Sequence, residues 1–134
     1  MFLRTILAAD DSSTVAETLD SLFGPLGCRV IYAPNGRAAL TVVRAARPDL
    51  VISDVMLRVL TGIEFVRELR RDPVLGQIPV ILWSAVYQPN DIKGFANGCE
   101  PFTAWNKFDD LDGLVSAVKN LLGSRKLPQA SGTP

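Results

Sequence analysis

The sequence predicts an α/β fold: a doubly wound, five-stranded parallel sheet with helices on both of its faces. Three observations carry that expectation. Short apolar runs and longer amphipathic stretches alternate five times along the chain, the order that gives parallel strands joined by right-handed crossovers. Two of the runs, 49–53 and 78–83, are almost wholly apolar, as strands covered on both faces must be. Polar or charged residues stand at the ends of four of the runs, at the strand carboxyl ends where open parallel sheets bind ligands.

The first strand covers 3–9 (Leu3-Arg4-Thr5-Ile6-Leu7-Ala8-Ala9) and runs into Asp10 and Asp11. Ser12 and Ser13 are good N-caps for the helix that follows. Its Val15, Leu19, Leu22 and Phe23 recur at helical spacing, and Gly24-Pro25 stops it. A second strand spans 28–33, with Cys28 filling space in it. Asn35-Gly36 opens the second helix, which turns Ala39, Leu40 and Val43 inward and ends at Pro48. The third strand, 49–53, leads to Asp54, and the third helix carries Phe65, Val66 and Leu69 before Asp72-Pro73. The strand at 78–83 leads to Ser84, and a fourth helix at 90–97 contains Gly94, with Phe95 expected in the core. A fifth strand, 101–106, leads to Lys107. The last helix takes Asp109 as its cap and lines Leu111, Leu114, Val115, Val118, Leu121 and Leu122 on one face. One domain over 1–123 is expected, followed by a flexible tail at 124–134, a stretch without periodicity.

Composition narrows the function. The 134 residues carry 14 basic and 14 acidic side chains, and 48% are hydrophobic, which suits one domain with a proper core. No block of Lys or Arg runs along an expected helix, so the electrostatic footprint of a nucleic-acid binder is missing. The apolar runs are of strand length, too short to span a membrane, and the start lacks a secretory signal pattern. A cytoplasmic protein is expected. Two distant cysteines and no histidine argue against structural zinc.

Five groups are therefore expected to converge: Asp10 and Asp11 after the first strand, Asp54 after the third, Ser84 after the fourth and Lys107 after the fifth. Singly each has an ordinary explanation, as a helix cap, a loop acid, a strand-end hydroxyl or a solvated lysine. Together, three carboxylates, a hydroxyl and an ammonium make a pocket suited to a divalent cation and a phosphoryl group.

In this ordered set the chain resembles the response regulator receiver domains of two-component signalling, over about residues 3–123, with Gly62 matching the family glycine after the acceptor strand. The resemblance implies a flavodoxin-like (βα)5 sandwich with strand order 2-1-3-4-5. It implies Asp54 as phosphoacceptor, assisted by Ser84 and Lys107. It also implies Mg2+ held by Asp11, Asp54 and the backbone carbonyl of Met56, with Asp10 acting mainly through water; hard oxygen ligands and retained waters suit this ion. The Asp54 carboxylate would be the nucleophile, giving an acyl phosphate, and positioning and charge stabilisation would supply much of the catalysis. The implied donor is a sensor histidine kinase or a histidine phosphotransfer protein. The implied output is partner binding, homodimerisation through the fourth helix, fifth strand and fifth helix, or onward phosphotransfer. The resemblance thus implies self-phosphorylation at an aspartate, not turnover enzymology.

Several residues depart from the family pattern. Arg58 stands where proline is usual, and Thr61 where Asp or Asn is common. Phe108 follows Lys107 where the family has proline on a cis bond; a cis bond before Phe would cost about 2.5–4 kcal/mol. Gly98 to Lys107 is longer than usual. Ala104 takes the place of the switch aromatic, with Phe102 and Trp105 nearby in other registers. Met56 and Val86 stand at the two positions that in the resembled family tune acyl phosphate hydrolysis, and neither side chain is suited to orient a water. Trp83, Tyr87, Phe102 and Trp105 fit either core packing or a partner surface. Two other functions remain open: a pseudo-receiver that binds partners without phosphorylation, and a flavodoxin-like enzyme. The second is disfavoured because Asp10 and Asp11 would repel a flavin phosphate.

Overall fold

In the computed structural model, which describes residues 4–124, five strands and five helices alternate. They are β1 (Arg4–Ala9), α1 (Ser13–Phe23), β2 (Cys28–Ala33), α2 (Gly36–Ala46), β3 (Leu50–Asp54), α3 (Gly62–Arg71), β4 (Val80–Ser84), α4 (Pro89–Phe95), β5 (Thr103–Asn106) and α5 (Leu111–Ser124). All strand pairs are parallel, in the order β2-β1-β3-β4-β5. This is the flavodoxin-like order expected of the chain.

Strand side chains alternate between two apolar layers, as period-two geometry requires. Leu7, Val51, Val80 and Leu82 pack against Ala39 and Val43 of α2, Phe65, Val66 and Leu69 of α3, and Ile92 of α4. Ile6, Leu50, Ile52, Ile81 and Trp83 face Leu19 and Phe23 of α1 and Leu114, Val118 and Leu122 of α5. Three helices thus cover one face and two the other. Burial on both faces explains why β3 and β4 read as unbroken apolar runs.

Local chemistry sets the helix ends. Asn35 caps α2 by accepting the Ala38 N–H at 2.8 Å. Arg47, in the left-handed region at φ 47°, closes that helix just before Pro48. Thr61 accepts the Glu64 N–H at 3.1 Å, and Glu64 accepts the Thr61 N–H at 2.9 Å. That reciprocal capping box gives Thr61 a structural use. Ser12 occupies the cap position of α1 but makes no side-chain cap bond. The Arg70 guanidinium ties two loops together, donating to the carbonyls of Gly76 and Ile78 before β4 and of Cys99 and Pro101 before β5.

Some expectations need correction. The fourth helix is shorter than 90–97, running Pro89–Phe95. Phe95 is on the surface rather than in the core, edge-on to Tyr87 at a centroid distance of 5.0 Å. Asp110, not Asp109, caps α5, accepting the Asp112 N–H at 3.0 Å. Leu111 is exposed instead of facing inward, because the apolar stripe of α5 begins one turn later at Leu114. The expected tail at 124–134 lies outside the described residues except for Ser124, which ends α5. Among the described residues, no helix is long and apolar enough to cross a membrane.

Candidate functional site

The strand order brings the carboxyl ends of β1, β3, β4 and β5 side by side. Asp10 follows β1, Asp54 ends β3, Ser84 ends β4 and Lys107 follows β5. Asp10, Asp11 and Asp54 each offer a carboxylate oxygen, and these oxygens all lie within 4.8 Å of one another. Asp10 and Asp54 are buried while Asp11 is exposed. The Lys107 ammonium bridges the buried pair, at 2.5 Å from Asp10 Oδ2 and 2.8 Å from Asp54 Oδ2. The second oxygen of each is also held: Ser12 N–H donates to Asp10 Oδ1 at 3.0 Å, and Met56 N–H donates to Asp54 Oδ1 at 2.8 Å.

Three carboxylates against one ammonium leave two negative charges in a small volume, the charge that one divalent cation cancels. The donors are all hard oxygens, with no histidine or cysteine among them, so the set fits Mg2+ and not a softer metal. Burial pushes the Asp10 carboxyl above its ordinary value, against the lowering effect of Lys107. For Lys107, burial pulls downward, but the hydrogen bonds and charges of Asp10 and Asp54 outweigh it, and its pKa is raised. The lysine stays protonated. Its ammonium also stands 5.4 Å from the centre of the Trp83 ring, a distance at which the ring face attracts a cation.

Ser84 is buried on the neighbouring strand. Its Oγ accepts the N–H groups of Val86 and Tyr87, both at 3.0 Å, so the hydroxyl organises the loop after β4. The hydroxyl proton remains to be donated. Lys107 N–H donates to the Ser84 carbonyl at 2.9 Å, joining that loop to the one after β5. The Lys107–Phe108 peptide is trans; the cis bond among the described residues is Glu100–Pro101. Ala104 is buried and carries no switch aromatic, while Trp105 and Phe102 pack partly buried on opposite faces of the sheet.

Two residues of this end of the fold are not evident from the sequence. Asn106 is a buried polar side chain whose amide contacts both the β4–α4 and the β5–α5 loop. An asparagine just before a turn is the signal that was available for it. Val59 has φ 69°, a left-handed conformation that a β-branched residue adopts only under constraint. It sits at the apex of a three-residue turn in which Leu60 N–H donates to the Arg58 carbonyl at 2.6 Å.

Comparison with known proteins adds the family context. Residues 6–101 match the family model of the response regulator receiver domain. The chain is 30% identical over 131 residues to the response regulator Rre1 of Synechocystis, covering 96% of this chain and 56% of that protein. It is 32% identical over 100 residues to the phosphate regulon transcriptional regulatory protein PhoB of Pseudomonas aeruginosa, covering 74% of this chain and 44% of that one. The chain thus spans about half the length of these curated relatives. Among solved structures it resembles the signal receiver domain of a Syntrophus aciditrophicus signal transduction histidine kinase, with TM-score 0.81, 33% identity and 92% of both chains covered. It also resembles the chemotaxis response regulator CheY4 of Vibrio cholerae, with TM-score 0.77, 26% identity, and 90% of this chain and 99% of that one covered.

Proposed function

The chain belongs to the response regulator receiver domain family, and on that premise we propose that it is a phosphoacceptor switch that takes a phosphoryl group on Asp54. The observation that carries this reading is the Lys107 ammonium bridging Asp10 and Asp54, with Asp11 completing a carboxylate cluster within 4.8 Å. An Asp54 oxygen attacks phosphorus, forming the new P–O bond as the bond to the donor breaks. From a phosphohistidine of a sensor kinase or phosphotransfer protein, the imidazole leaves with the bonding pair and gains a proton. Lys107 turns its N–H groups from the carboxylates toward a phosphoryl oxygen, and Ser84 donates its hydroxyl proton to another. Asp11, Asp54 and the Met56 carbonyl would hold Mg2+, with Asp10 acting through water, and the ion supplies charge neutralisation for the incoming phosphoryl group. Nothing turns over beyond formation and loss of the acyl phosphate, so the domain is a switch and not a turnover enzyme.

The test is intact mass after incubation with acetyl phosphate and Mg2+. Wild type is expected to gain one phosphoryl adduct that Asp54→Ala does not form. No adduct on wild type, together with no Mg2+ binding, would favour the second reading, a binding module that works without phosphorylation. Trans geometry before Phe108 and Ala104 at the switch position support that alternative. The complete acidic cluster supports the first.

Lifetime is a separate expectation. Met56 and Val86 are exposed and apolar, flanking the site from the loops after β3 and β4. Neither offers a hydrogen bond to an attacking water, so the Asp54 acyl phosphate is expected to hydrolyse slowly. A half-life of seconds, unchanged when both residues are substituted, would refute this. The signal is proposed to pass in the cytoplasm, by onward transfer or by binding of a protein partner or second copy at the α4-β5-α5 face, without contact to nucleic acid or membrane.

A further inference from the structure

We propose that Asn106 is the positioning residue that holds Lys107 in the site and ties it to the loop after Ser84, an inference that rests on the phosphoacceptor reading of Asp54. Lys107 must reach from the end of β5 to carboxylates at the carboxyl ends of β1 and β3. Its own backbone lies in a tight turn, closed by Asp109 N–H donating to the Asn106 carbonyl at 3.0 Å, with Lys107 and Phe108 at the central positions. Within that turn Asn106 Oδ1 accepts the Phe108 N–H at 2.9 Å, an Asx-turn nested in the first. The other end of the amide, Nδ2, donates to the Tyr87 carbonyl at 3.2 Å. Both ends of the amide are therefore used, and the residue is only 7% exposed.

These contacts define what position 108 has to be. The nested turn needs a backbone N–H from residue 108, which proline lacks, and trans proline is disfavoured at the third position of such a turn. Phe108 supplies the N–H. Its ring is exposed, so its backbone is the part this turn uses. Asn106 thus fixes the direction in which the Lys107 side chain leaves the sheet. It also joins Lys107 to Tyr87, whose N–H is held by Ser84 Oγ and whose ring meets Phe95 of α4. A movement of Ser84 toward a phosphoryl group would be transmitted to Lys107 through this amide.

The experiment compares Asn106→Leu, Lys107→Ala and the double variant, reading adduct formation from acetyl phosphate at saturating Mg2+ and Mg2+ affinity by tryptophan fluorescence. Asn106→Leu is expected to slow adduct formation roughly tenfold to a hundredfold, since a misplacement of about 1 Å can cost about a hundredfold. It is also expected to tighten Mg2+ binding, because a loosened ammonium competes less for Asp10 and Asp54. Lys107→Ala should shift Mg2+ affinity the same way, and the double variant should be no worse than Lys107→Ala alone. Asn106→Ser, whose hydroxyl can accept the Phe108 N–H, should recover part of the rate. Weaker Mg2+ binding in Asn106→Leu, or a further loss of the same factor in the double variant, would reduce Asn106 to a general structural role and overturn the inference. If wild type binds Mg2+ but forms no adduct, the phosphoacceptor reading fails, and the Mg2+ affinities alone decide the role of Asn106.

Discussion

Gly62→Ala is expected to destabilise the domain by about 3 kcal/mol or more, a large part of the total stability of a domain this size. A Cβ at position 62 would stand 1.8 Å from the Asp54 carbonyl oxygen, 2.9 Å from its carbon and 3.1 Å from Ser53 Oγ. The first of these is backbone in the central strand and cannot swing aside. Gly62 N–H also donates to the Val55 carbonyl at 3.0 Å, so the start of α3 is pinned against the end of β3. Either α3 withdraws from its apolar contacts or β3 shifts, and a shift of β3 carries Asp54 with it. Loss of phosphoryl uptake should therefore accompany the loss of stability. Gly94→Ala is the control: nothing lies within 4 Å of a Cβ there, and replacing glycine inside a helix should be neutral or stabilising by about 0.5–1 kcal/mol. Urea midpoints for the two variants check the prediction, and an unchanged midpoint for Gly62→Ala would contradict it.

Lys107→Met, measured without divalent cation, is expected to cost on the order of 3 kcal/mol, because truncating one side of a buried ion pair leaves the other charges uncompensated. Asp10 and Asp54 would then face each other and Asp11 without the ammonium that now lies 2.5 and 2.8 Å away. Mg2+ should restore more stability to this variant than it adds to wild type. In wild type the proposed ion would compete with the Lys107 ammonium for the negative charge of Asp10 and Asp54; in the variant nothing would oppose it, and stabilisation follows ligand occupancy. The pH dependence has a definite sign. Burial already lifts the Asp10 carboxyl above its ordinary 3.8, against the opposing pull of Lys107, and removing the lysine lifts it further. The folded variant then binds a proton at pH values where the unfolded chain does not. Its stability should accordingly rise as pH falls through that range, recovering part of the loss. Urea titrations in chelator and in Mg2+, at neutral and mildly acidic pH, test both statements. An equal gain from Mg2+ in variant and wild type would contradict the competition.

How far the site was legible depends on the residue. Asp10, Asp54, Ser84 and Lys107 could be placed because each directly ends or follows an apolar run, and strand ends are local in sequence. Asp11 came with Asp10. The fold order brought Asp10, Asp11, Asp54 and Lys107 together as expected, and placed Ser84 on the adjacent strand. Thr61, a departure from the family pattern, proved to be a helix cap. Asn106 is not legible in the sequence, because its partner Tyr87 lies 19 residues away, in the loop after the neighbouring strand. The left-handed Val59 was also hidden, since nothing in its side chain favours that conformation.

The sequence by itself determined the fold class, the five strand–helix units and the strand ends that carry charged groups. These follow from periodicity and from runs of apolar residues, which are properties of neighbours along the chain. Only the tertiary structure decided which helices cover which face, where α3 begins against the Asp54 carbonyl, and how Lys107 reaches the carboxylates through a trans turn. Those outcomes depend on close approach and burial between residues far apart in sequence. The same polar side chain is a solvated surface group or a buried partner according to what the fold sets beside it.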